Sequence, residues 1–463
     1  MTQTERSSIV LSAVLLAASS LCSQLAWAQS SFVFRNVSIV DCQGAKIVPG
    51  QSIAVRDGRI EAVGSDSEVA TPSGATEVDA GGAFAIPGLW DMHVHLGKDM
   101  AYAMPVFVAN GVTHVRDMGS VFEETQALRE DIAQGRRVGP MIRTSGPILE
   151  SPQFVERLAK FMGEEELKTR VPVGSPEEAE STVAALETMG VDFLKIRTVA
   201  SKPIYLAIAE AARKHGLALV GHAPPPAISI PEAAAAGQAS FEHYVDSPGI
   251  KTLPDDRAAM YKQFADQRTQ FVPTLVSGVG FRLTPDAEVR AVVADLAGAK
   301  DSRRKYVSSK LAQFWTQQMD LKSQEQSSVD YAAIHRRNMV LFGEMHAAGV
   351  RLMVGTDLGG PLVYPGFGVH DELALFVFDI GLTPAQALDA ATRIPAEFSG
   401  QGDTYGLIKS GFAADFLLVE ENPLDEIRNT AAIKGVFANG KWIDRADADK
   451  LLETAAREAS TVE

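Results

Sequence analysis

The sequence predicts an α/β fold: a (β/α)8 TIM barrel accompanied by a small composite β-sandwich domain, which N- and C-terminal segments of the chain form together. Three observations support this prediction. Short apolar strands alternate with helical stretches through the middle of the chain, eight times in all. Strand-like segments with turn signals flank that region on both sides. Finally, 46% of the 463 residues are hydrophobic, which is typical of a globular protein with a large core.

The first 28 residues differ from the rest of the chain. An uncharged apolar run follows MTQTER, and Ala26-Trp27-Ala28 then supplies a small-x-small pattern. This is the pattern of a secretory signal peptide (residues 1–28) cleaved after Ala28, with an uncleaved anchor as the alternative. We therefore expect a periplasmic or secreted protein. Cleavage would remove Cys22 and leave Cys42 alone, so the mature chain would form no internal disulfide.

Residues 29–85 and 401–445 share a strand-like pattern. Apolar and polar residues alternate in FVFRNVSIV and SIAVRDGRIEAVG, with a turn at Asp57-Gly58. Near the other end lie ADFLLVEE and KGVFANGKWIDR, the latter with a hairpin turn at Asn439-Gly440. Two half-sheets at opposite ends of a chain can pair into one small domain. Residues 446–463 are expected to form a C-terminal helix or tail.

Residues 86–400 carry the predicted barrel. Its strand candidates are, in order, GLWDMHVHL, GVTHVRDMG, PMIRTSG, VDFLKIR, LALVGHA, ASFEH, FVPTL and RLMVGTD. Helical stretches such as PEEAESTVAALETMG lie between several of them, as a barrel requires. A long polar helical excursion at 281–346 precedes the last strand. It is either a lid or an oligomer contact, or an elaborated barrel helix.

The charge of the chain limits its partners. The formal net charge is −15, and the sequence contains no basic block. This argues against nucleic acid and anionic membranes as partners. We expect a small-molecule substrate and no membrane contact after signal cleavage, and a homo-oligomer stays open.

Four histidines end strand candidates, at the face where barrel enzymes place their catalytic groups. His93 and His95 end the first strand, His222 the fifth and His243 the sixth. Because residues i and i+2 of a strand share a face, His93 and His95 point the same way. Taken alone, such a pair of histidines could also lie on the exposed face of a surface strand. With Asp357 at the end of the eighth strand, the set suits a divalent first-row metal.

Lys195, in VDFLKIR, is predicted to point into the barrel beside these histidines. A charged ammonium there would repel a metal and cost free energy to bury. Desolvation lowers the pKa of a lysine, and a neutral amine can add carbon dioxide. The resulting carbamate on Lys195 has two oxygens and could bridge two metals. The alternative is a lysine whose ammonium group reaches the rim of the barrel.

Several of these motifs resemble those of the amidohydrolase superfamily. The resemblance rests on IPGLWDMHVHL, GVTHVRDMG, DFLKI, GHA, SFEH and VGTD, and on GLTPAQALDAATRIPAEFSG and GLIKSGFAADFLLVEENPLDEI near the C-terminus. It covers residues 31–445 and is strongest to the exported prolidase- and imidazolonepropionase-like branch. It implies a metal-dependent hydrolase with a binuclear site. The metal ligands would then be His93, His95, Lys195, His222, His243 and Asp357.

The resemblance also bears on the reaction, because the superfamily contains two-metal hydrolases and one-metal deaminases. Deaminase members typically carry an acid three residues after the fifth-strand histidine, where this chain has Pro225. Hydrolysis at two divalent metal ions is therefore favoured, with zinc expected and manganese, cobalt or iron open. A metal-bridging hydroxide would attack the carbonyl, and Asp357 would be the catalytic residue that shuttles the proton to the leaving amine.

The expected substrate is a dipeptide or N-acyl amino acid, cleaved at its C–N (amide) bond. Arg197, one inward step above Lys195, could clamp a substrate carboxylate or form a structural salt bridge. His370 and Tyr364 are further candidates for substrate binding. Hydrolysis of a cyclic amide, ester or lactone stays open, because an activated hydroxide does not distinguish these carbonyls. A non-catalytic binding protein that kept the barrel is the remaining alternative, and the complete ligand set argues against it.

Overall fold

A computed structural model of the chain describes residues 31–246, 257–324 and 329–462. The predicted signal peptide and its cleavage site after Ala28 lie outside these residues. Across the three described ranges, no helix is both long enough and apolar enough to span a lipid bilayer.

Strands occur throughout the described ranges. In chain order they are β1 (Ser31–Asp41), β2 (Lys46–Arg56), β3 (Arg59–Ser65), β4 (Thr76–Asp79), β5 (Phe84–Pro87), β6 (Leu89–Val94), β7 (Val112–Asp117), β8 (Met141–Thr144), β9 (Ile148–Glu150), β10 (Arg170–Pro172), β11 (Leu194–Ile196), β12 (Leu219–Gly221), β13 (Ser240–Glu242), β14 (Gln270–Val272), β15 (Arg351–Leu352), β16 (Phe416–Val419), β17 (Ile433–Ala438) and β18 (Lys441–Asp444).

Along the sequence, helices make up most of the segments that connect successive barrel strands. The α-helices are Met104–Ala109, Phe122–Ala133, Pro152–Leu158, Glu164–Leu167, Pro176–Met189, Lys202–Lys214, Ile230–Ala235, Ala258–Asp266, Leu275–Gly278, Asp286–Ala294, Ser309–Gln324, Tyr331–Ala347, Phe367–Leu375, Pro384–Ala390, Arg393–Phe398 and Arg445–Ala459. Short 3-10 or π-helical turns are Lys98–Ala103, Val279–Leu283, Ser302–Tyr306, Phe376–Ile380 and Ile427–Ala431.

The two ends of the chain share one mixed sheet. Its strand order is β18-β17-β16-β5-β1-β2-β3, and β4 also pairs with β1. The halves join where β16 pairs with β5 in antiparallel register. Val33 and Phe34 are both fully buried although neighbouring strand residues point to opposite faces, so β1 is covered on both sides. Phe34 also packs edge-on against Phe416 of the C-terminal half, with ring centroids 5.1 Å apart.

The barrel strands run parallel in two hydrogen-bonded groups. β6, β7 and β8 form one group, and the other has the order β10-β9-β11-β12-β13-β14-β15. Backbone hydrogen bonds link the groups: the N–H of Met92 donates to Val354 O and that of Asp192 donates to Thr144 O, each at 2.9 Å. A strand is present at each of the eight predicted places, and β9 and β10 are additional. The predicted fold class is confirmed.

The helix Pro176–Met189 shows how the sequence specifies the outer layer. Ser175 caps it by accepting a hydrogen bond from a backbone N–H, and Gly190 ends it in a left-handed conformation, with φ of 95°. The buried residues Ala179, Val183 and Leu186 recur at helical spacing and form one face. Burying a valine or leucine side chain contributes about 1.5–3 kcal/mol, so this face holds the helix against the barrel.

The described parts of the excursion at 281–346 are mostly helical and pack over the C-terminal face of the barrel. Trp315 is fully buried and meets Tyr364, which follows β15, with ring centroids 5.6 Å apart. The backbone N–H of Ser308 donates to the hydroxyl of Tyr102, which follows β6, at 3.2 Å. The excursion therefore covers segments that extend from the first and the last barrel strands.

Candidate metal and catalytic site

All six predicted metal ligands lie at or just beyond the C-terminal ends of barrel strands. His93 is in β6 and Lys195 is in β11, whereas His95, His222, His243 and Asp357 come after β6, β12, β13 and β15. Parallel strands of a barrel present these ends at one face, so six residues from distant parts of the sequence face the same region.

Three of the six have ligand atoms close enough to hold one ion. One atom each of His93, His243 and Asp357 lies within 4.8 Å of the others. Asp357 Oδ1 lies 3.3 Å from Nε2 of His95 and 3.5 Å from Nε2 of His93. The ring of His222 adjoins that of His243, with centroids 4.8 Å apart. The structure therefore brings all four histidines together with Asp357.

The state of His93 indicates that this cluster fits a cation. Its Nδ1 lies 2.9 Å from Glu242 Oε2. Because a carboxylate accepts, Nδ1 carries the proton and Nε2 carries the lone pair. Burial, followed by the charge of Lys195, lowers the pKa of His93 well below its usual value, so the ring is neutral. Its Nε2 is buried without a hydrogen-bond partner among the described residues. A buried lone pair facing a carboxylate suits a metal ion.

Lys195 is buried at the same place. It is 2% exposed, and burial lowers its pKa to about 8, although Glu242 and Asp357 act in the opposite direction. At that pH half of the side chains are neutral amines, the form that can add carbon dioxide. Gly221 of the neighbouring strand permits the close packing of Lys195, because a Cβ at Gly221 would lie 3.0 Å from Cδ of Lys195 and 2.1 Å from the Ile196 carbonyl oxygen.

Glu242 and Arg116, which are not among the residues predicted from the sequence, support His93 of the first strand. Arg116 Nη2 donates to Glu242 Oε1 at 2.8 Å, and both side chains are almost completely buried. The hydroxyl of Ser240 also donates to Oε1 at 2.7 Å. Glu242 therefore orients the ring of His93 while its own position is fixed. In the sequence, Glu242 could have been recognised as an acid within a short apolar strand, SFEH, directly before the predicted ligand His243.

The segment after β14 supports the other side of the site. Thr274 Oγ1 lies 2.7 Å from Nδ1 of His243. The hydroxyl of Ser277 donates to Asp357 Oδ2 at 3.0 Å. His243, Thr274 and Asp357 all adopt positive φ, at 68°, 48° and 57°. Such a conformation is costly for a β-branched threonine, on the order of 1–3 kcal/mol, and needs support from its surroundings.

Glu372 provides that support. Its carboxylate accepts hydrogen bonds from the backbone N–H groups of Leu275 and Val276, at 2.9 and 2.7 Å. The side chain is completely buried, and burial raises its pKa to about 8 despite these two bonds. Glu372 thus fixes the turn that carries Thr274 and Ser277. No local sequence signal connects it to a segment almost 100 residues earlier.

Arg197, one of the three predicted substrate contacts, keeps an accessible side chain near the site. Its Nη1 lies 3.7 Å from Glu150 Oε1, with 36% of the side chain exposed. Its guanidinium lies over the ring of Phe154, 4.7 Å from the centroid. An arginine whose guanidinium is positioned by protein groups and is still partly exposed is suited to bind a substrate carboxylate.

His370 and Tyr364 are placed differently. His370 Nε2 donates to the Asn110 carbonyl at 3.0 Å, and its Nδ1 lies 2.9 Å from Thr430 Oγ1. Both ring nitrogens are therefore occupied by protein groups. Tyr364 is 1% exposed, with the guanidinium of Arg303 over its ring. Neither residue is therefore among the substrate contacts proposed below.

Comparison with known proteins gives a family match over most of the chain. Residues 84–443 match the model of the amidohydrolase family. Among solved structures, a protein from Bifidobacterium longum, provisionally assigned as a prolidase, is 26% identical with a TM-score of 0.69, over 92% of this chain and 99% of that one. The ochratoxinase of Aspergillus niger has a TM-score of 0.67 at 19% identity, over 90% of this chain and 96% of that one.

Curated relatives match over shorter segments. The Aspergillus niger ochratoxinase is 35% identical over 98 residues, which is 20% of this chain and 19% of that protein. An adenine deaminase from Paracoccus denitrificans is 34% identical over 73 residues, 16% of this chain and 12% of that protein. The chain thus matches no more than about a fifth of the length of these relatives.

Proposed function

The chain belongs to the amidohydrolase family, and on that premise we propose that it is a metal-dependent hydrolase of carbon–nitrogen bonds. Its substrate in this proposal is a small amide, such as a dipeptide or an N-acyl amino acid. The observation that carries the proposal is the buried, unpartnered Nε2 of His93 beside His243 and Asp357. Solved relatives include a Xaa-Pro dipeptidase and a bottromycin amidohydrolase, which supports an amide as the substrate.

The proposed cofactor is a pair of divalent metal ions, with zinc first and manganese, cobalt or iron as alternatives. The residues that would hold them are His93, His95, Lys195, His222, His243 and Asp357. Bound metals of this kind polarise a carbonyl and lower the pKa of water toward about 7. Lys195 would contribute as a carbamate, and its burial and lowered pKa favour the neutral amine from which a carbamate forms.

Asp357 is the proposed proton carrier. Burial alone would raise its pKa, but the charges of His243 and His95 lower it to about 2, so the side chain is an ionised acceptor at neutral pH. Ser277 donates to Oδ2, which leaves Oδ1 directed toward the histidines. Asp357 would accept a proton from the attacking water and pass it to the nitrogen of the leaving amine.

Arg197 is the proposed contact for a substrate carboxylate. Its exposed guanidinium follows Lys195 by two residues, about 6–7 Å further along the chain direction. The excursion at 281–346 would cover the substrate, because it packs over segments that follow β6 and β15. We also propose export of the protein, on the basis of residues 1–28 alone.

Deamination is the second candidate, because of the local identity with adenine deaminases. Against deamination, Pro225 occupies the position at which deaminase members typically carry an acid, and its side chain is exposed. Hydrolysis of an ester, lactone or cyclic amide would use the same residues.

A substrate screen separates these candidates. Purified protein loaded with zinc, manganese or cobalt is incubated with dipeptides, N-acyl amino acids, esters, lactones and adenine, and products are identified by mass spectrometry. We expect metal-dependent cleavage of an amide, and its loss in Asp357→Asn. Release of ammonia from adenine without amide cleavage would instead support deamination. Fully metal-loaded protein that cleaves no amide would contradict the proposal.

A further inference from the structure

A second cavity lies between the barrel and the composite sheet. Its volume is about 600 Å³. Thr113 and His114 line it from the start of β7, whereas the proposed metal ligands lie at the opposite ends of the strands. The helix Phe122–Ala133 lines a second side, and the turn at Asp57-Gly58 and Asp415 line it from the composite sheet. The cavity is therefore separate from the candidate metal site.

The polar groups of this cavity have a defined proton arrangement. The hydroxyl of Thr113 donates to Asp415 Oδ2 at 3.0 Å. Because that hydroxyl has a single proton, it can only accept from Nδ1 of His114, which lies 3.0 Å away. Burial, followed by the charge of Arg143, lowers the pKa of His114 to about 3, so the ring is neutral. Its Nε2 then carries a lone pair.

Within the described ranges, no group donates a hydrogen bond to this lone pair. His114 is 2% exposed, and its Nε2 is buried without a partner in the described ranges. One face of the ring stacks on Trp90, with centroids 4.0 Å apart, and Tyr405 meets it edge-on at 4.6 Å. The ring is thus fixed in place, and leaving such an acceptor unpaired costs about 1–3 kcal/mol.

Asp415 is a second unsatisfied group. Asp415 is 6% exposed. Among the described residues, one basic side chain lies within ion-pair distance of its carboxylate, that of His114, and this ring is neutral. Burial raises the pKa of Asp415 to about 7, although Thr113 donates to it. A buried carboxylate is normally paired with a cation. Among the described residues, the cavity is therefore lined by a buried carboxylate that lacks a cationic partner.

The rest of the cavity lining combines apolar and charged side chains. Ile132, Met141, Ile142 and Tyr405 line the cavity with mainly apolar surface. Two acids and two arginines also line it, at Asp57, Glu130, Arg59 and Arg129. Arg129 already pairs with Asp192 at 3.1 Å, so the remaining charge favours a cation over an anion. The volume lies in the range of pockets that bind small molecules.

We propose that this cavity binds a small primary amine with an apolar body. The ammonium group pairs with the Asp415 carboxylate, and the apolar body lies against the wall formed by Tyr405 and Met141. An anion would be repelled by Asp415, and a neutral alcohol carries no charge to pair with this carboxylate. The proposal does not depend on the proposed hydrolase activity.

Three probes that share one apolar body test this proposal: 2-phenylethylamine, 2-phenylethanol and phenylacetate. Binding to the metal-loaded full chain is measured by isothermal titration calorimetry. We expect saturable binding of the amine, at least tenfold tighter than that of the alcohol, and no binding of phenylacetate. Asp415→Asn, which keeps the side-chain shape, should weaken amine binding at least tenfold.

Two variants of one helix provide a matched comparison if Asp415→Asn does not fold. Ala133 is exposed and lines the cavity, so Ala133→Phe should obstruct it and weaken amine binding. Ala127 is exposed on the same helix outside the cavity lining, so Ala127→Phe should leave binding unchanged. Equal affinity for amine and alcohol, unchanged binding in Ala133→Phe, or no binding of any probe would overturn the proposal.

Discussion

The carboxylate of Glu242 lies 2.9 Å from Nδ1 of His93, although 149 positions separate the two residues in sequence. This contact joins the sixth barrel strand to the first. It fixes which nitrogen of His93 is free to bind a metal, and it places a negative charge behind that ligand. The first prediction tests this contact.

Glu242→Gln should weaken metal binding about 10–100-fold, because the amide orients His93 less well and adds no charge behind it. It should also cost about 3–5 kcal/mol of unfolding free energy, since Arg116 would stay buried without its carboxylate. Metal affinity is measured by competition with a chromophoric chelator, and stability by thermal unfolding. Glu61→Gln is the control: it removes the partner of exposed Arg56, 3.1 Å away, and should cost less than about 1 kcal/mol.

Lys195→Ala should lower the metal content of the purified protein and its hydrolytic activity, because the bridging carbamate is lost. Elemental analysis gives the metal content. Protein incubated with ¹³C-bicarbonate should show a carbamate resonance by NMR in the parent chain and none in the variant. Lys202→Ala, at an exposed lysine that pairs with Glu232 at 2.6 Å, should change neither measurement. A Lys195→Ala variant with normal metal content and activity would rule out the assignment.

Asp357→Asn should reduce kcat by about 10²–10⁴, the usual range for the loss of a general acid–base group. The amide retains the shape of the side chain, but it cannot carry the proton. Steady-state kinetics on the substrate found by screening, with metal content measured in parallel, checks this prediction. Asp266→Asn, at an exposed residue, is the matched control. Activity within a fewfold of the parent would exclude Asp357 as the proton carrier.

Glu372→Gln should lower kcat while leaving KM nearly unchanged, because Glu372 acts on Thr274 and Ser277 through the backbone and not on the substrate. The amide has a single acceptor oxygen, so one of the two backbone N–H groups loses its acceptor, which costs about 1–3 kcal/mol. Hydrogen exchange at Leu275 and Val276 should become faster in the variant. Unchanged exchange there, together with normal kcat, would show that the turn holds without Glu372.

The stability of the chain should depend on the ionisation of Asp415 between pH 4 and pH 7. Burial raises the pKa of this acid from 3.8 to about 7 in the folded chain. In that window the folded chain retains a proton that the unfolded chain releases. Stability therefore falls as the pH rises, by about 1.4 kcal/mol per unit of pKa difference, and levels off above about pH 7. Between pH 4 and pH 7, the Tm of Asp415→Asn should rise relative to the Tm of the parent, because asparagine does not ionise. A difference in Tm that stays constant over this range would contradict the prediction.

The barrel strands and the proposed ligands could be predicted from sequence because both depend on local patterns. Alternating strands and helices indicate the barrel, and strand periodicity places His93 and His95 on one face. The short strands β9 and β10 were missed because charged residues and prolines interrupt their apolar runs, whereas the equally short β11 and β12 lie within the longer segments VDFLKIR and LALVGHA. Glu242 and Glu372 were missed for another reason: each acts on a residue far away in sequence, and only the folded chain brings such partners together.

The pairing of β5 with β16 has a consequence for synthesis of the protein. These strands lie more than 300 residues apart in sequence, so the ribosome releases the N-terminal half-sheet long before its neighbour exists. Until then β5 has an open edge, at which another chain can add a strand. A nascent or truncated chain that ends before residue 416 should therefore aggregate through β5, because β16 is the strand that covers this edge.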